Sequence, residues 1–147
     1  MKLFSSKVLS GFGKKKKVVN IQDTNYTDTI IKSISEKAIA ISEENVMYAA
    51  AKELGGYYYF KTIVVGRFKI KTFKGATLTV KGQNQEFVLK TDMDEFESDY
   101  SEIPNTFVTS IDFQIEKGDI KKLQPNLINS LTLKAKKHEI VFKPVKD

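Results

Sequence analysis

Most of the chain after Gly56 alternates apolar and polar residues with a period of two. The alternation runs through residues 67–72, 76–81 and 107–116, and a hairpin of residues 131–142 ends the pattern. Strict alternation is typical of antiparallel strands with one buried face and one face in water. It predicts a mostly antiparallel meander of six to seven strands, arranged as a curved sheet, a sandwich or a partly closed barrel.

Within this meander, two segments carry specific predictions about burial. In residues 67–72 the alternation places Phe68 and Ile70 in the core and Lys69 and Lys71 in water. Residues 57–65 are instead almost continuously aromatic and β-branched, which predicts a strand whose end is buried on both faces.

Before Gly56 the apolar spacing is helical and predicts two helices. The first begins near Thr27, because isoleucine and alanine recur at helical spacing as far as Ile41. The second begins at Ser42, whose hydroxyl can accept a hydrogen bond from the next turn, and ends at Gly55 and Gly56. Whether the two helices are separate or continuous stays open. Together with the strands, they predict an α+β fold.

The basic charge of the chain is concentrated at its N-terminus. Residues 1–22 hold six of the 24 basic residues and none of the 18 acidic ones, which leaves 18 of each in the rest of the chain. The net charge of +6 therefore belongs to this segment. The division predicts a basic amphipathic tail over residues 1–22 and a single α+β domain over residues 23–147.

The tail also carries an apolar stripe at helical spacing. Such a short helix is marginal in water, but a membrane or a partner can stabilise it. We predict that the tail binds a protein partner or an anionic surface, either a membrane or nucleic acid. The residues predicted to make this contact combine the stripe with the lysines: Phe4, Lys7, Val8, Phe12, Lys14, Lys15, Lys16 and Lys17.

The residue types that carry most enzyme chemistry are scarce. The chain has no cysteine, which excludes disulfides, thiol catalysis and cysteine-ligated metals. Its only histidine, His138, stands at a hairpin tip between two charged residues and is predicted to be a surface residue. We predict no catalytic residue, no cofactor and no metal ligand, and hence no enzyme.

Residues 52–90 hold eight basic residues and two acidic ones, whereas residues 92–102 hold six acidic residues and no base. Lysines commonly cover the wet face and edges of a sheet, and we predict that the acidic segment offsets them. Clustered carboxylates also suit a hard cation. The EF-hand spacing fails, however, because Phe96 and Glu97 stand where an oxygen ligand and a glycine are required. A metal site of another kind stays open.

These observations favour a non-catalytic interaction module that docks through its tail. One alternative is nucleic-acid binding, through the tail or through stacking on residues 57–60, although such rings more often pack in a core. The other is a carrier that encloses a small apolar ligand. No apolar run approaches the roughly 20 residues of a spanning helix, and Lys7 interrupts the only stretch that resembles a signal peptide. We therefore expect a cytoplasmic protein, peripheral to a membrane where the tail binds lipid.

Overall fold

The strands of this chain close into a barrel in the computed structural model, which describes residues 26–145. The helices are short: α1 (Tyr26–Ser33), α2 (Asp119–Lys122) and a 3-10 helix at Pro125–Leu127. None of them is long and apolar enough to cross a membrane. The strands are β1 (Ala40–Ile41), β2 (Asn45–Leu54), β3 (Tyr57–Gly66), β4 (Lys71–Thr72), β5 (Thr77–Gly82), β6 (Gln85–Thr91), β7 (Phe96–Glu97), β8 (Asp99–Tyr100), β9 (Phe107–Gln114), β10 (Ile128–Ala135) and β11 (His138–Pro144).

Eight of these strands form the ring, in the order β1, β11, β10, β5, β6, β9, β3, β2 and back to β1. Every neighbouring pair is antiparallel. β8 adds to one edge of β9, and β4 and β7 form a separate two-stranded ribbon. The predicted mostly antiparallel sheet is confirmed, and the barrel is closed rather than partly closed.

Side chains fill the inside of the barrel. Each strand sends alternate residues inward, and the largest of these, Phe60, Phe113 and Phe142, are almost completely buried. Leucines from β5 and β10 pack against them. An eight-stranded barrel has an interior just wide enough for side chains to fill it. The inward face therefore forms the main core.

A second core lies outside the barrel, between α1 and the outer faces of β2 and β3. Ile30 of α1 is fully buried there against Val46, Ile63 and Val65. These strands are thus covered on both sides near this end, which confirms the prediction made for the end of segment 57–65.

The second predicted helix is wrong, because residues 45–54 form strand β2. Ser42 does accept a hydrogen bond from the backbone N–H of Asn45 at 3.0 Å, as a helix cap would, but it stabilises the tight β1–β2 connection. Gly55 and Gly56 have φ values of +59° and +84°, which suit a two-residue hairpin turn between β2 and β3. Tertiary pairing on β3 outweighs the helix propensity of three consecutive alanines.

The first predicted helix is present but shorter than expected. It ends at Ser33 rather than near Ile41, and the chain then extends into β1. Ala40 and Ile41 pair with β2 on one side and with β11 on the other. A helix at this position would leave the ring open, so the pairing of β1 explains the difference.

The predicted burial of residues 67–72 is confirmed, although most of the segment is not in a ladder. Phe68 and Ile70 are buried, while Lys69 and Lys71 are exposed. Only β4 pairs regularly. The backbone N–H of Phe68 instead donates to Asn45 Oδ1 at 3.0 Å, and that of Ile70 donates to Ser98 Oγ at 2.9 Å.

Candidate functional site

The predicted site residues of the tail lie outside the described residues 26–145: Phe4, Lys7, Val8, Phe12, Lys14, Lys15, Lys16 and Lys17. The structure does place the residue at which the described chain begins. The hydroxyl of Tyr26 is hydrogen-bonded to the hydroxyl of Thr106, and the guanidinium of Arg67 lies 4.4 Å from its ring centroid. Both partners belong to connections at one end of the barrel, which we call the lower end (residues 42–45, 67–76, 92–106 and 136–137). The described chain therefore begins at the lower end of the barrel.

The lower end carries a cleft lined by lysines and an exposed phenylalanine. Phe73 is 63% exposed, and Lys71 Nζ lies 6.0 Å from its ring centroid. The β10–β11 turn lies opposite, and the space between the two has a volume of about 700 Å³. We call this space the basic cleft, defined by the residues that line it: Phe73, Lys74, Lys136, Lys137 and His138.

Local backbone geometry holds Phe73 away from the core. The backbone N–H of Lys74 donates to Thr72 Oγ1 at 3.0 Å, and that of Gly75 donates to the carbonyl of Asp94 at 2.7 Å. Gly75 has a φ of +73°, and a Cβ there would lie 2.5 Å from Thr91 Oγ1. The turn thus requires glycine and presents the preceding aromatic residue to solvent.

The opposite wall of the basic cleft is the two-residue β10–β11 turn, which has a lysine at a position of positive φ. Lys136 has a φ of +53°, a conformation that costs a non-glycine residue roughly 1–2 kcal/mol. Asparagine or glycine would fit this position better. His138, the first residue of β11, is exposed, as predicted, and its ring meets the buried Phe68 edge-on at 5.0 Å between centroids.

Outside the basic cleft, four lysines stand opposite acidic residues in a strand pair. The strand register sets each of these pairs side by side on the outer surface, where opposite charges partly offset each other. The pairs are Lys61 with Asp112, Lys81 with Glu86, Lys134 with Glu139 and Lys71 with Glu97. Three of the six lysines on the ring strands are thus offset, whereas Lys52, Lys90 and Lys143 stand opposite Tyr59, Thr77 and Ile41.

The acidic segment 92–102 folds over the lower end beside the basic cleft. Its Tyr100 is 78% exposed, and Lys69 Nζ lies 5.2 Å from that ring centroid and 5.2 Å from that of Phe107. Among residues 26–145, the structure brings together no group of three or more histidine, aspartate or glutamate side chains that could hold a metal ion. The segment makes backbone contacts with the rest of the lower end, including the hydrogen bond that the Asp94 carbonyl accepts from the N–H of Gly75.

The aromatic run 57–60 divides between core and surface. Phe60 points into the barrel, whereas Tyr57 and Tyr59 lie on the outer face with ring centroids 6.1 Å apart and an interplanar angle of 26°. The phenol of Tyr57 is hydrogen-bonded to Asp92, which raises its pKa to about 12. The charge of Asp112 acts in the same direction. The two carboxylates lie beside Tyr57, whereas Lys52 stands opposite Tyr59, so the charge around the stacked rings is mixed.

This arrangement predicts that Asp92→Asn lowers the pKa of Tyr57 from about 12 toward the ordinary value of 10. The carboxylate favours the neutral phenol, which donates the hydrogen bond, and disfavours the phenolate. The pKa can be measured from the chemical shift of the Tyr57 ring carbon across an alkaline titration. Asp94→Asn is the matched control on the same segment and is expected to leave the pKa unchanged. Equal shifts in both variants would contradict the contact.

Comparison of the chain with protein-family models, curated proteins and solved structures finds no match. The candidate site therefore rests on geometry alone. Sequence analysis missed the basic cleft, because residues 71–74 and 136–138 are far apart in the chain. The one available signal was that both segments combine lysines with an aromatic ring.

Proposed function

We propose that this chain is a non-catalytic interaction module that docks on an anionic membrane surface through its basic amphipathic tail, with the basic cleft as a second contact. The observation that carries the proposal is the position of Tyr26. Its contacts with Arg67 and Thr106 place the start of the described chain at the lower end, where Phe73 and the lysines of the cleft also lie. We propose that one flat surface contacts both the tail and the cleft.

The charge of the tail supports binding to an anionic surface, whereas the lower end of the barrel itself holds eight acidic residues and six basic ones. Each lysine near an anionic bilayer contributes about 1 kcal/mol, and the tail supplies six lysines without an acidic residue. On the barrel wall, Lys61, Lys81 and Lys134 stand opposite acidic residues, which partly offsets their charge. The aromatic and aliphatic residues of the tail add burial in the interfacial region of the bilayer.

Phe73 supplies an apolar contact from the barrel itself. It is 63% exposed, and its neighbour Lys74 and the facing Lys136 and Lys137 are exposed cations. An aromatic ring surrounded by lysines suits the boundary between phosphate groups and acyl chains. The tail and Phe73 thus provide the two signals that stable peripheral binding needs.

The two alternative functions have less support from the geometry. A carrier needs an enclosed apolar space, but Phe60, Phe113 and Phe142 occupy the interior of the barrel. A stacking surface for nucleic acid needs cations beside exposed rings, and here Lys52 opposite Tyr59 is offset by Asp92 and Asp112, which act on Tyr57. Binding of nucleic acid by the tail alone is an outcome of the test below.

Full-length protein is expected to co-sediment with liposomes that contain anionic lipid, and a chain that begins at Val18 is expected to lose most of this binding. Part of the affinity of the full-length protein should survive high salt, because apolar burial is not screened. Phe73→Ala should weaken binding further in both chains. Val88→Ala is the matched control, because Val88 is 55% exposed on the outer face of β6, away from the cleft.

Nucleic acid can be distinguished by its response to salt. If six lysines each meet a phosphate of duplex DNA, the logarithm of the affinity falls against the logarithm of salt with a slope of up to about −5. A gel shift with that slope, together with no liposome binding, would replace the membrane proposal by nucleic-acid binding. Binding to neither surface would favour the protein partner, and liposome binding that is unchanged without the tail would refute its role.

A further inference from the structure

A pocket at the end of the barrel opposite the basic cleft is lined almost entirely by amide side chains. It lies where the β5–β6 turn meets the 3-10 helix and the start of β10, and its volume is about 250 Å³. We call it the amide pocket, defined by the residues that line it: Gln83, Asn84, Gln85, Asn126, Leu127 and Asn129. Within the part of the chain that the structure describes, no charged residue and no aromatic ring lines this pocket.

Close backbone packing forms one side of the amide pocket. A Cβ on Gly82 would lie 2.4 Å from the carbonyl oxygen of Leu127, so glycine is needed where the β5–β6 hairpin meets the 3-10 helix. The side chain of Gln85 is fixed in the same region, because its Nε2 donates to the carbonyl of Lys122 at 3.1 Å. Leu127 itself is 47% exposed. The hairpin and the helix thus hold an amide and an exposed aliphatic side chain beside the same space.

A β-bulge brings a third segment to the amide pocket. Ile128 of β10 pairs with Gly82 and Ser130 pairs with Lys81, so the intervening Asn129 has no partner in β5. Bulges redirect a side chain, and they are common at the rims of barrels and beside functional sites. Ile128 and Ser130 are buried, whereas Asn129 is exposed. The bulge therefore explains how Asn129 comes to line the pocket.

Most of the hydrogen-bonding capacity of these amides is not used within the fold. Each amide side chain has two N–H donors and one carbonyl acceptor. The side chains of Gln83, Asn84, Asn126 and Asn129 are exposed, and they form no hydrogen bond with residues 26–145. Donors and acceptors of three chain segments therefore face one small space together.

The lining of the amide pocket limits which ligand suits it. A charged ligand would find no opposite charge there, and the nearest charged side chains are already offset, since Lys122 lies 3.9 Å from Asp119 and Lys81 stands opposite Glu86. A wholly apolar ligand would cover the amides without pairing them, which is unfavourable. A nucleobase would find no ring on which to stack. A neutral molecule with several hydroxyl groups avoids all three difficulties, because each hydroxyl both donates and accepts, and its C–H groups can pack on Leu127.

From these features we propose that the amide pocket binds a neutral sugar ring. Asn126 and Asn129 also line a larger cavity of about 1010 Å³, to which Lys37 and Lys143 contribute. The amide pocket is therefore open on that side, and a unit linked to the bound ring would extend into the larger cavity. The site lies at the opposite end of the barrel from the basic cleft, and the proposal does not depend on membrane binding.

The probes are the methyl glycosides of glucose, galactose, mannose and N-acetylglucosamine, each titrated separately into full-length protein labelled with nitrogen-15. Side-chain amides give their own signals in proton–nitrogen correlation spectra, so the lining can be observed directly. At least one glycoside should shift the side-chain signals of Gln83, Asn84, Asn126 and Asn129 and saturate in the millimolar range, as expected for a small polar ligand in an open pocket.

Three further compounds test the chemistry of the ligand at the same concentrations. Cyclohexanol has a ring with a single hydroxyl, sodium phosphate is an anion, and N-acetylglycinamide carries the amide groups of a peptide backbone. All three should shift the same signals less than the best glycoside does. No saturable shift with any glycoside would overturn the proposal. An equal response to N-acetylglycinamide would also overturn it and would indicate a peptide ligand.

Variants of the protein locate the site. Asn126→Ala and Asn129→Ala each remove an amide and should weaken glycoside binding by up to about tenfold. Leu127→Ala should also weaken it, because the apolar contact is lost. Gln114→Ala is the matched control, since Gln114 is an exposed amide on β9 that does not line the pocket. All four side chains are exposed, so the fold should be kept, and the backbone signals of the same spectra verify this. Unchanged affinity in both asparagine variants, or an equal loss in Gln114→Ala, would refute the assignment.

Discussion

Replacing Phe113 with alanine is expected to lower the free energy of unfolding by about 3–5 kcal/mol. The side chain is fully buried, and its strand joins two others at this point: Phe113 stands opposite Phe60 of β3 and Thr91 of β6. Its removal takes apolar surface away from the core and leaves a cavity inside a closed ring that cannot collapse freely.

Urea denaturation of Phe113→Ala and Val88→Ala measures the free energy of unfolding of each variant. Val88 points outward from β6 and is 55% exposed, so its substitution should change the free energy of unfolding by less than about 0.5 kcal/mol. If Phe113→Ala lowers the free energy of unfolding by less than about 1 kcal/mol, the interior of the barrel is loosely packed. That result would revive the carrier hypothesis, because an enclosed ligand needs space that the present core does not have.

The strands after Gly56 could be predicted from sequence because each carries its own alternating pattern. The β10–β11 hairpin has the register that its apolar residues imply, with Leu131 opposite Phe142 and Leu133 opposite Ile140. The closure of the barrel could not be predicted in the same way. It depends on β1, which is only two residues long and has no periodicity to detect.

Strand β2 has the sequence pattern of a helix for a physical reason. Its outward Val46 and Tyr48 are buried under α1 and its inward Met47 is buried in the barrel, so the alternation disappears where both faces are covered. Three alanines then favour a helix by propensity alone. The two glycines at 55 and 56 fit a helix stop and a hairpin turn equally well, and only the pairing with β3 decides between them.

The candidate sites were harder to predict than the fold, since they depend on which residues the fold leaves uncovered. A phenylalanine is expected in the aromatic core, but the turn at Gly75 leaves Phe73 exposed. The amide pocket forms where the β5–β6 turn meets residues 126–129, which are far along the chain. Neither property belongs to the residues themselves, so neither can be read from one sequence.

Phe68→Ala is expected to cost about 3–5 kcal/mol of unfolding free energy, although Phe68 lies outside every strand. The ring is 4% exposed and belongs to the main core, and its backbone N–H is fixed by Asn45 Oδ1 at 3.0 Å. Burial and the Asn45 contact thus hold this segment in the absence of a ladder. The variant should lose stability as if a core strand residue had been truncated.

Lys69→Ala, one residue along the chain, is the matched comparison. Lys69 Nζ lies 3.4 Å from the hydroxyl of Tyr100 and 5.2 Å from the ring centroids of Tyr100 and Phe107. Lys69 and Tyr100 are exposed, and Phe107 is partly buried. Cation–aromatic contacts of this kind contribute about 0.5–1 kcal/mol, so the variant should lose no more than about 1 kcal/mol. Urea denaturation of the two variants under identical conditions gives the comparison. Similar losses for both would mean that the side chains of residues 67–72 are assigned to the wrong faces, because only burial separates these neighbours.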